Sequence, residues 1–248
     1  MIRTSLQDGI AEIAMDRPPV NALNLALLGA IEAAHADACR GGARVILLTG
    51  RAGMFSAGLD VPELLPQPRA AIEAFWTGFF RLTRALVTSA VPVVAVVSGH
   101  APAGGAVIAI HCDYRIGARG DFRIGLNEVS VGLPIPDGIM LALEHIVGPR
   151  MAQRLGMTAE LLSMENALGC GLLDELAEPD RLMEQSRAWA RRLAALPPVA
   201  MNRTRLLARA RLAAALEPVA GARVAADLWF SDETQAGMRA LVERLARK

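Results

Sequence analysis

The stretch Ile124–Pro134, IGLNEVSVGLP, places one carboxylate, Glu128, among apolar residues and glycines. Burying an unpaired ionised carboxylate is costly, so a residue in such surroundings is paired, held protonated, or kept for proton transfer. Two other stretches offer backbone N–H groups that an anion or a developing oxyanion would fit. In SGHAPAGGAVIAI, Ser98–Ile110, a valine-rich strand runs into Gly104-Gly105 and then an apolar helix, whose first N–H groups have no partner within the helix. In MFSAGLD, Met54–Asp60, a turn of small residues follows the apolar strand RVILLTG and exposes another such group. Neither stretch is a Walker loop or a GxGxxG fingerprint, and Ser56 lacks the GxSxG setting of a hydrolase nucleophile. Taken singly, each has a plain structural reading: glycines that allow close packing, and a glutamate bonded to turn amides around Gly125 and Gly132.

The elements that must position these residues are legible in outline. Asp8-Gly9 separates two short runs, Ile2–Gln7 and Ile10–Asp16, as a tight hairpin turn does. Leu25, Leu28 and Ile31 recur at helical spacing, with Asn21 or Asn24 as cap and Gly41-Gly42 as stop. Arg44–Gly50 and Pro92–Gly99 are continuous apolar strands, residues 62 to 90 read as helical, and short strands follow near Asp113–Ala118 and Phe122–Ile124. Strand and helix alternate to about residue 178. Beyond Arg181 the chain becomes rich in Ala, Leu, Arg and Glu, with proline stops that predict three or four helices. An α/β core over residues 1–178 with a helical region over 179–248 is expected.

Composition narrows the chemistry. The 26 basic and 25 acidic residues of this 248-residue chain leave a formal charge of +1, which gives no general attraction to nucleic acid or an anionic membrane and favours a small-molecule partner. The only lysine is Lys248, so Schiff-base and phosphate-cradling lysines are unavailable in the interior. Cys39, Cys112 and Cys170 lack CxxC spacing and read as reduced. His100 and His111 have no suitably spaced third ligand, so no metal site is expected. The apolar run Val91–Cys112 is interrupted by prolines and a glycine pair and reads as strand, turn and helix rather than a membrane span. With no charged leader and apolar core at the N-terminus, a cytoplasmic location is expected.

In combination the motifs say more. DRPPVNAL (16–23), FSAGLD (55–60), PVVAVVSGHAPAGG (92–105), CDYRIG (112–117) and IGLNEVSVGLP (124–134) occur in the order found in the enoyl-CoA hydratase/isomerase, or crotonase, superfamily, which this chain resembles over roughly residues 1–178. The resemblance implies an α/β spiral of β-β-α units with a helical C-terminal region for trimerisation and active-site cover. It also implies a homotrimer or dimer of trimers and an acyl thioester of coenzyme A as substrate, with no resident cofactor or metal. Carried over residue by residue, the oxyanion donors fall on the backbone of Leu59 and Gly104, and the catalytic carboxylate on Glu128. Asn21, Ala22, Leu23, Ser56, Ala57, Asp60, Gly105 and Val107 fall at coenzyme A or acyl positions, and Arg17 is the arginine nominated to meet the phosphates.

One departure separates two reactions. Hydratases of the superfamily carry a first glutamate where this chain has Val107, so one of their two carboxylates is missing. Holding and deprotonating water benefits from two groups, whereas moving a double bond needs one base that accepts a proton and returns it. The flavour of FSAGLD, PAGG, CDYRI and IGLNE also resembles the delta-3,delta-2 enoyl-CoA isomerases. Hydration and acyl-CoA binding without turnover are the competing expectations. Asp137 is read as a turn residue with Gly138, and Phe75, Trp76, Phe79 and Phe80 as either an acyl tunnel or ordinary helix core.

Overall fold

The computed structural model describes residues 1–247. Ten strands run in chain order: β1 Ile2–Gln7, β2 Ile10–Met15, β3 Val45–Thr49, β4 Gly53–Met54, β5 Val93–Val97, β6 Gly99–Pro102, β7 Tyr114–Ala118, β8 Arg123–Gly125, β9 Leu162–Ser163 and β10 Glu175–Ala177. Helices α1 Leu25–Arg40, α2 Val61–Leu64, α3 Arg69–Val87, α4 Gly104–His111, α5 Asp137–Val147, α6 Pro149–Thr158 and α7 Met164–Gly169 alternate with them. The C-terminal helices are α8 Leu182–Ala194, α9 Pro198–Ala208, α10 Ala210–Ala215, α11 Pro218–Trp229 and α12 Asp232–Ala246. Five helices stand where three or four are expected, because α9 and α10 are divided at Arg209 without a proline to mark the break.

The strands form two sheets, one in the order β1-β2-β3-β5-β7-β10 and a smaller one in the order β4-β6-β8-β9. The chain visits both in each turn of a spiral: β3 leads to β4, β5 to β6 and β7 to β8, each pair followed by helical structure. The strands from β2 through β3, β5 and β7 to β10 pair in parallel. The opening hairpin is antiparallel, with Gln7 opposite Ile10 and both Asp8 (φ 52°) and Gly9 (φ 75°) in the left-handed region that such a two-residue turn requires. At the start of α1 it is Asn24 that caps, its Oδ1 accepting from Leu27 N at 2.9 Å.

The continuous apolar runs have a simple cause. Ile46, Leu48, Val93, Ala95 and Val97 face the main core beneath α1, α3 and α4, while Val45, Leu47, Val94 and Val96 pack on the opposite side beneath α8. Both faces of the large sheet are therefore covered, so an alternating pattern would have buried polar groups. The aromatic side chains of α3 belong to this core: Trp76 and Trp229 of α11 meet edge to face with centroids 6.4 Å apart. Phe75, Trp76, Phe79 and Phe80 are buried there and form ordinary core rather than an acyl tunnel.

Candidate functional site

Three turns meet at one cavity. The first is the 55–59 turn, which is tied down by two buried polar residues. Asn21 is held at φ 50°; its Nδ2 donates to Phe55 O at 3.0 Å and to Met15 O at 3.2 Å, and its Oδ1 accepts from Arg17 N at 2.8 Å. Ser56 Oγ donates to Asn21 O at 2.8 Å and accepts from Gly58 N at 3.2 Å. Leu23 forms a parallel bridge opposite Leu59, donating to Gly58 O and accepting from Asp60 N. This alternation turns the N–H of Leu59 to the side away from Leu23.

The second turn begins α4. Its first helical bond runs from Val107 N to Ala103 O, leaving the N–H of Gly104 without an acceptor in the helix. Ala103 stands at φ 48°, ψ −123°, a conformation costly for a residue with a side chain, and it sets the direction in which Gly104 points. The two turns pack so closely that a Cβ on Gly58 (φ 88°) would lie 2.9 Å from Ala103 Cβ and 3.1 Å from Gly104 N. Gly58, at positive φ and in close contact with Ala103 and Gly104, thus lets the two turns lie against each other.

The third turn is a 3-10 turn, Glu128–Val131, which ends at Gly132 in the left-handed conformation (φ 72°). Glu128 is 7% exposed, and its Oε2 is buried with no hydrogen-bond partner among the described residues. Burial pushes its carboxyl up from 4.5 to about 7, only partly opposed by a bond to its own backbone N–H. The reading of Glu128 as a carboxylate tied up by turn amides does not account for that unpaired oxygen.

Helix α12 supports this turn from behind. Thr234 Oγ1 donates to Gly132 O at 2.6 Å, and a Cβ on Gly237 would fall 2.2 Å from Val131 O. On the same helix, Met238, Leu241 and Leu245 recur at helical spacing and roof the cavity, which encloses about 520 Å³. Other surface hollows exist, including one of about 450 Å³ beside Thr49 and Arg187 and one of about 740 Å³ beside Met140 and Met157. None of their lining residues carries a buried, unpaired polar atom, whereas this cavity carries two, on Asn127 and Glu128.

Of the residues nominated from sequence, Arg17, Ala22, Ala57, Leu59, Asp60 and Glu128 line the cavity. Gly104 lies just behind Ala103 on its wall. The side chains of Asn21, Leu23 and Ser56 are fully buried behind that wall, Gly105 sits against Ser56 O, and Val107 packs in the core at 1% exposure. Asp60 caps α2, accepting from Glu63 N, and pairs with Arg17 at 2.7 Å. Arg17 also donates to Ala22 O at 3.0 Å and pairs with Glu63 at 2.9 Å, so two carboxylates flank its guanidinium at the cavity edge. Arg244, at the exposed edge of the roof, is a cation that sequence reasoning passed over. Asn127 was passed over as well, although its place next to Glu128 was a visible signal.

The remaining candidates fall elsewhere. Asp137 is exposed and begins α5, so it is a helix-start residue rather than a turn. His111 Nδ1 bonds to Val107 O at 2.7 Å, and burial pushes its imidazole down to about 4. His100 Nδ1 accepts from Arg123 N at 3.2 Å. Among the described residues no cluster of three His, Cys, Asp or Glu is placed to hold a metal ion, and no helix is long and apolar enough to cross a membrane.

The arrangement can remove a proton beside a carbonyl: a carboxylate poised near neutrality, two backbone donors side by side, and apolar walls. The family model for enoyl-CoA hydratase/isomerase matches residues 5–248. Human mitochondrial enoyl-CoA delta isomerase 1 is 31% identical over 244 residues, covering 96% of this chain and 80% of that protein. "Probable enoyl-CoA hydratase EchA17" of Mycobacterium tuberculosis is 32% identical over 197 residues, covering 78% and 74%. The crystal structure of human mitochondrial delta3-delta2-enoyl-CoA isomerase superposes with a TM-score of 0.95 at 28% identity, over 99% of this chain and 98% of that one. With its spiral of paired strands, its crossed glycine turns and a family match across nearly its whole length, the chain belongs to the enoyl-CoA hydratase/isomerase family.

Proposed function

We propose that this enzyme shifts the double bond of a 3-enoyl-CoA to the 2 position, with Glu128 as the one group that takes and returns the proton. The observation that carries this reading is the inventory of carboxylates on the cavity wall: Asp60 is neutralised by Arg17, Val107 stands where hydratases place a first glutamate, and Glu128 alone is unpaired. With the thioester oxygen between the N–H groups of Leu59 and Gly104, Glu128 removes a proton from C2. The C–H electron pair moves toward the carbonyl and gives a dienolate. The carboxyl then donates to C4 as the C2–C3 double bond forms and the carbonyl is restored. Each oxyanion donor is worth roughly 3 kcal/mol in such a step. A carboxyl poised near 7 suits both halves of the transfer, because neither its acid nor its base form is strongly disfavoured.

The apolar roof of Met238, Leu241 and Leu245 suits a hydrocarbon acyl chain, and Arg244 at its exposed edge suits the anionic end of coenzyme A. No resident cofactor enters the proposed steps. Hydration is the second reading, favoured by the 32% identity to the mycobacterial protein named for it. Offering the purified protein a 3-enoyl-CoA and, separately, a trans-2-enoyl-CoA distinguishes the two. Conversion of the first with little hydration of the second supports the isomerase, and efficient hydration of the second assigns the enzyme to the lyases.

A further inference from the structure

Asn127 occupies the cap position of the 3-10 turn, where asparagine is favoured because its side-chain oxygen bonds to the backbone N–H groups that follow. Here it makes no such bond. Its backbone carbonyl accepts from Ser130, through N at 3.1 Å and Oγ at 2.6 Å, while its side chain turns to the cavity and leaves Oδ1 buried with no partner among the described residues. Oε2 of the next residue, Glu128, is in the same condition on the same wall. Two adjacent acceptors without a donor form an incomplete polar group, and buried acceptors are seldom left so. The acyl chain of an enoyl thioester has only C–H groups to offer and cannot complete it.

A water molecule has two O–H donors and fits the deficit one for one. The cavity on whose wall both residues lie measures about 520 Å³, against roughly 30 Å³ for a water. We propose that Asn127 is a positioning residue that holds one water molecule between its Oδ1 and Glu128 Oε2, and that this water exchanges the proton captured by Glu128 with solvent. The inference rests on the proton-transfer reading of Glu128 and adds a path between that proton and bulk water. The exchange is balanced: the protonated carboxyl gives its proton to the water oxygen as the water returns one of its own to the carboxylate, with no net change of charge. In deuterium oxide the group returned to C4 is then a deuteron, and a C4–D bond replaces the C4–H bond of direct return.

The test is isomerisation of a 3-enoyl-CoA in deuterium oxide, with the label at C4 counted per product molecule. Read at low conversion, this ratio is independent of how much enzyme folds and reports the competition between exchange at Glu128 and return of the proton to C4. Wild type is expected to label most product molecules, Asn127→Leu to label about fivefold fewer or less, and Asn127→Asp, which keeps an acceptor of the same shape, to label as wild type does. Equal labelling in wild type and Asn127→Leu, or unlabelled wild-type product, overturns the proposal. If no 3-enoyl-CoA is isomerised, the isomerase reading fails by itself. Exchange at C2 of a saturated acyl-CoA then reads the water directly: a rate that falls in Asn127→Leu supports it, and equal rates or no wild-type exchange overturn it.

Discussion

Strands β6 and β8 pair side by side, Ala101 opposite Ile124 and Pro102 opposite Gly125, and the chain leaves both toward the same cavity. The two exits differ. After β6 the chain enters α4 at once, with every residue of that helix buried and only backbone N–H groups left over at its start. After β8 it makes a single 3-10 turn that keeps Asn127 and Glu128 on the cavity wall, with an unpaired oxygen on each. One wall offers fixed dipoles and the other a movable proton. The difference teaches how one wall can lose a carboxylate without disturbing its backbone: Val107 completes the apolar packing of α4, and the N–H groups at the start of that helix are untouched because they belong to the main chain.

The comparison breaks most severely at the proton-bearing wall. Glu128→Gln keeps the shape and removes the base, and kcat for isomerisation is expected to fall by about 10³-fold or more, with KM little changed. Breaking the dipole wall should cost somewhat less. Gly58→Ala places a methyl 2.9 Å from Ala103 and forces a positive φ on alanine, pushing Gly104 and Leu59 apart; a loss of about 10²-fold in kcat/KM is expected from steady-state kinetics.

The same glutamate should leave a mark on stability. A carboxyl whose folded value lies above its unfolded one holds its proton more firmly in the folded chain, so stability is lost as pH rises from about 4.5 to 7 and is level beyond. The shift corresponds to roughly 3 kcal/mol. Denaturant titration should therefore show Glu128→Gln gaining on wild type by about that amount between pH 4.5 and 8. The mildest break lies behind the turn. Gly237→Ala sets a Cβ 2.2 Å from Val131 O and must lift α12 from the Glu128 turn, for which a several-fold rise in KM and a few degrees off the melting temperature are expected.

The opening hairpin, α1, the two long apolar strands and the alternation up to residue 178 were legible because each rests on local chemistry: Asp8-Gly9 demands its turn, and Val93–Val97 can only be a strand covered on both faces. Strands β4, β6 and β9 were not, since two to four residues containing glycine, proline or serine become strands only when a neighbour supplies the ladder. At the site, the motif order located Glu128 and the two glycine turns that meet it at the cavity. It did not show that Asn21 and Ser56 work from behind the wall, because a residue type that suits a pocket also suits a buried clamp. Nor did it show the roof, since the helical spacing of Met238, Leu241 and Leu245 names a face without naming what that face covers.

The central claim is that one group accepts and returns the proton, and the dependence of kcat/KM on pH for a 3-enoyl-CoA tests it most directly. The base form of Glu128 is needed in the free enzyme, so the profile should rise tenfold per pH unit at low pH and level off above about 7, with no falling limb up to pH 9. A bell-shaped profile would require a second titrating group, and a profile flat from pH 5 to 9 would remove Glu128 from the chemistry; either result contradicts the account.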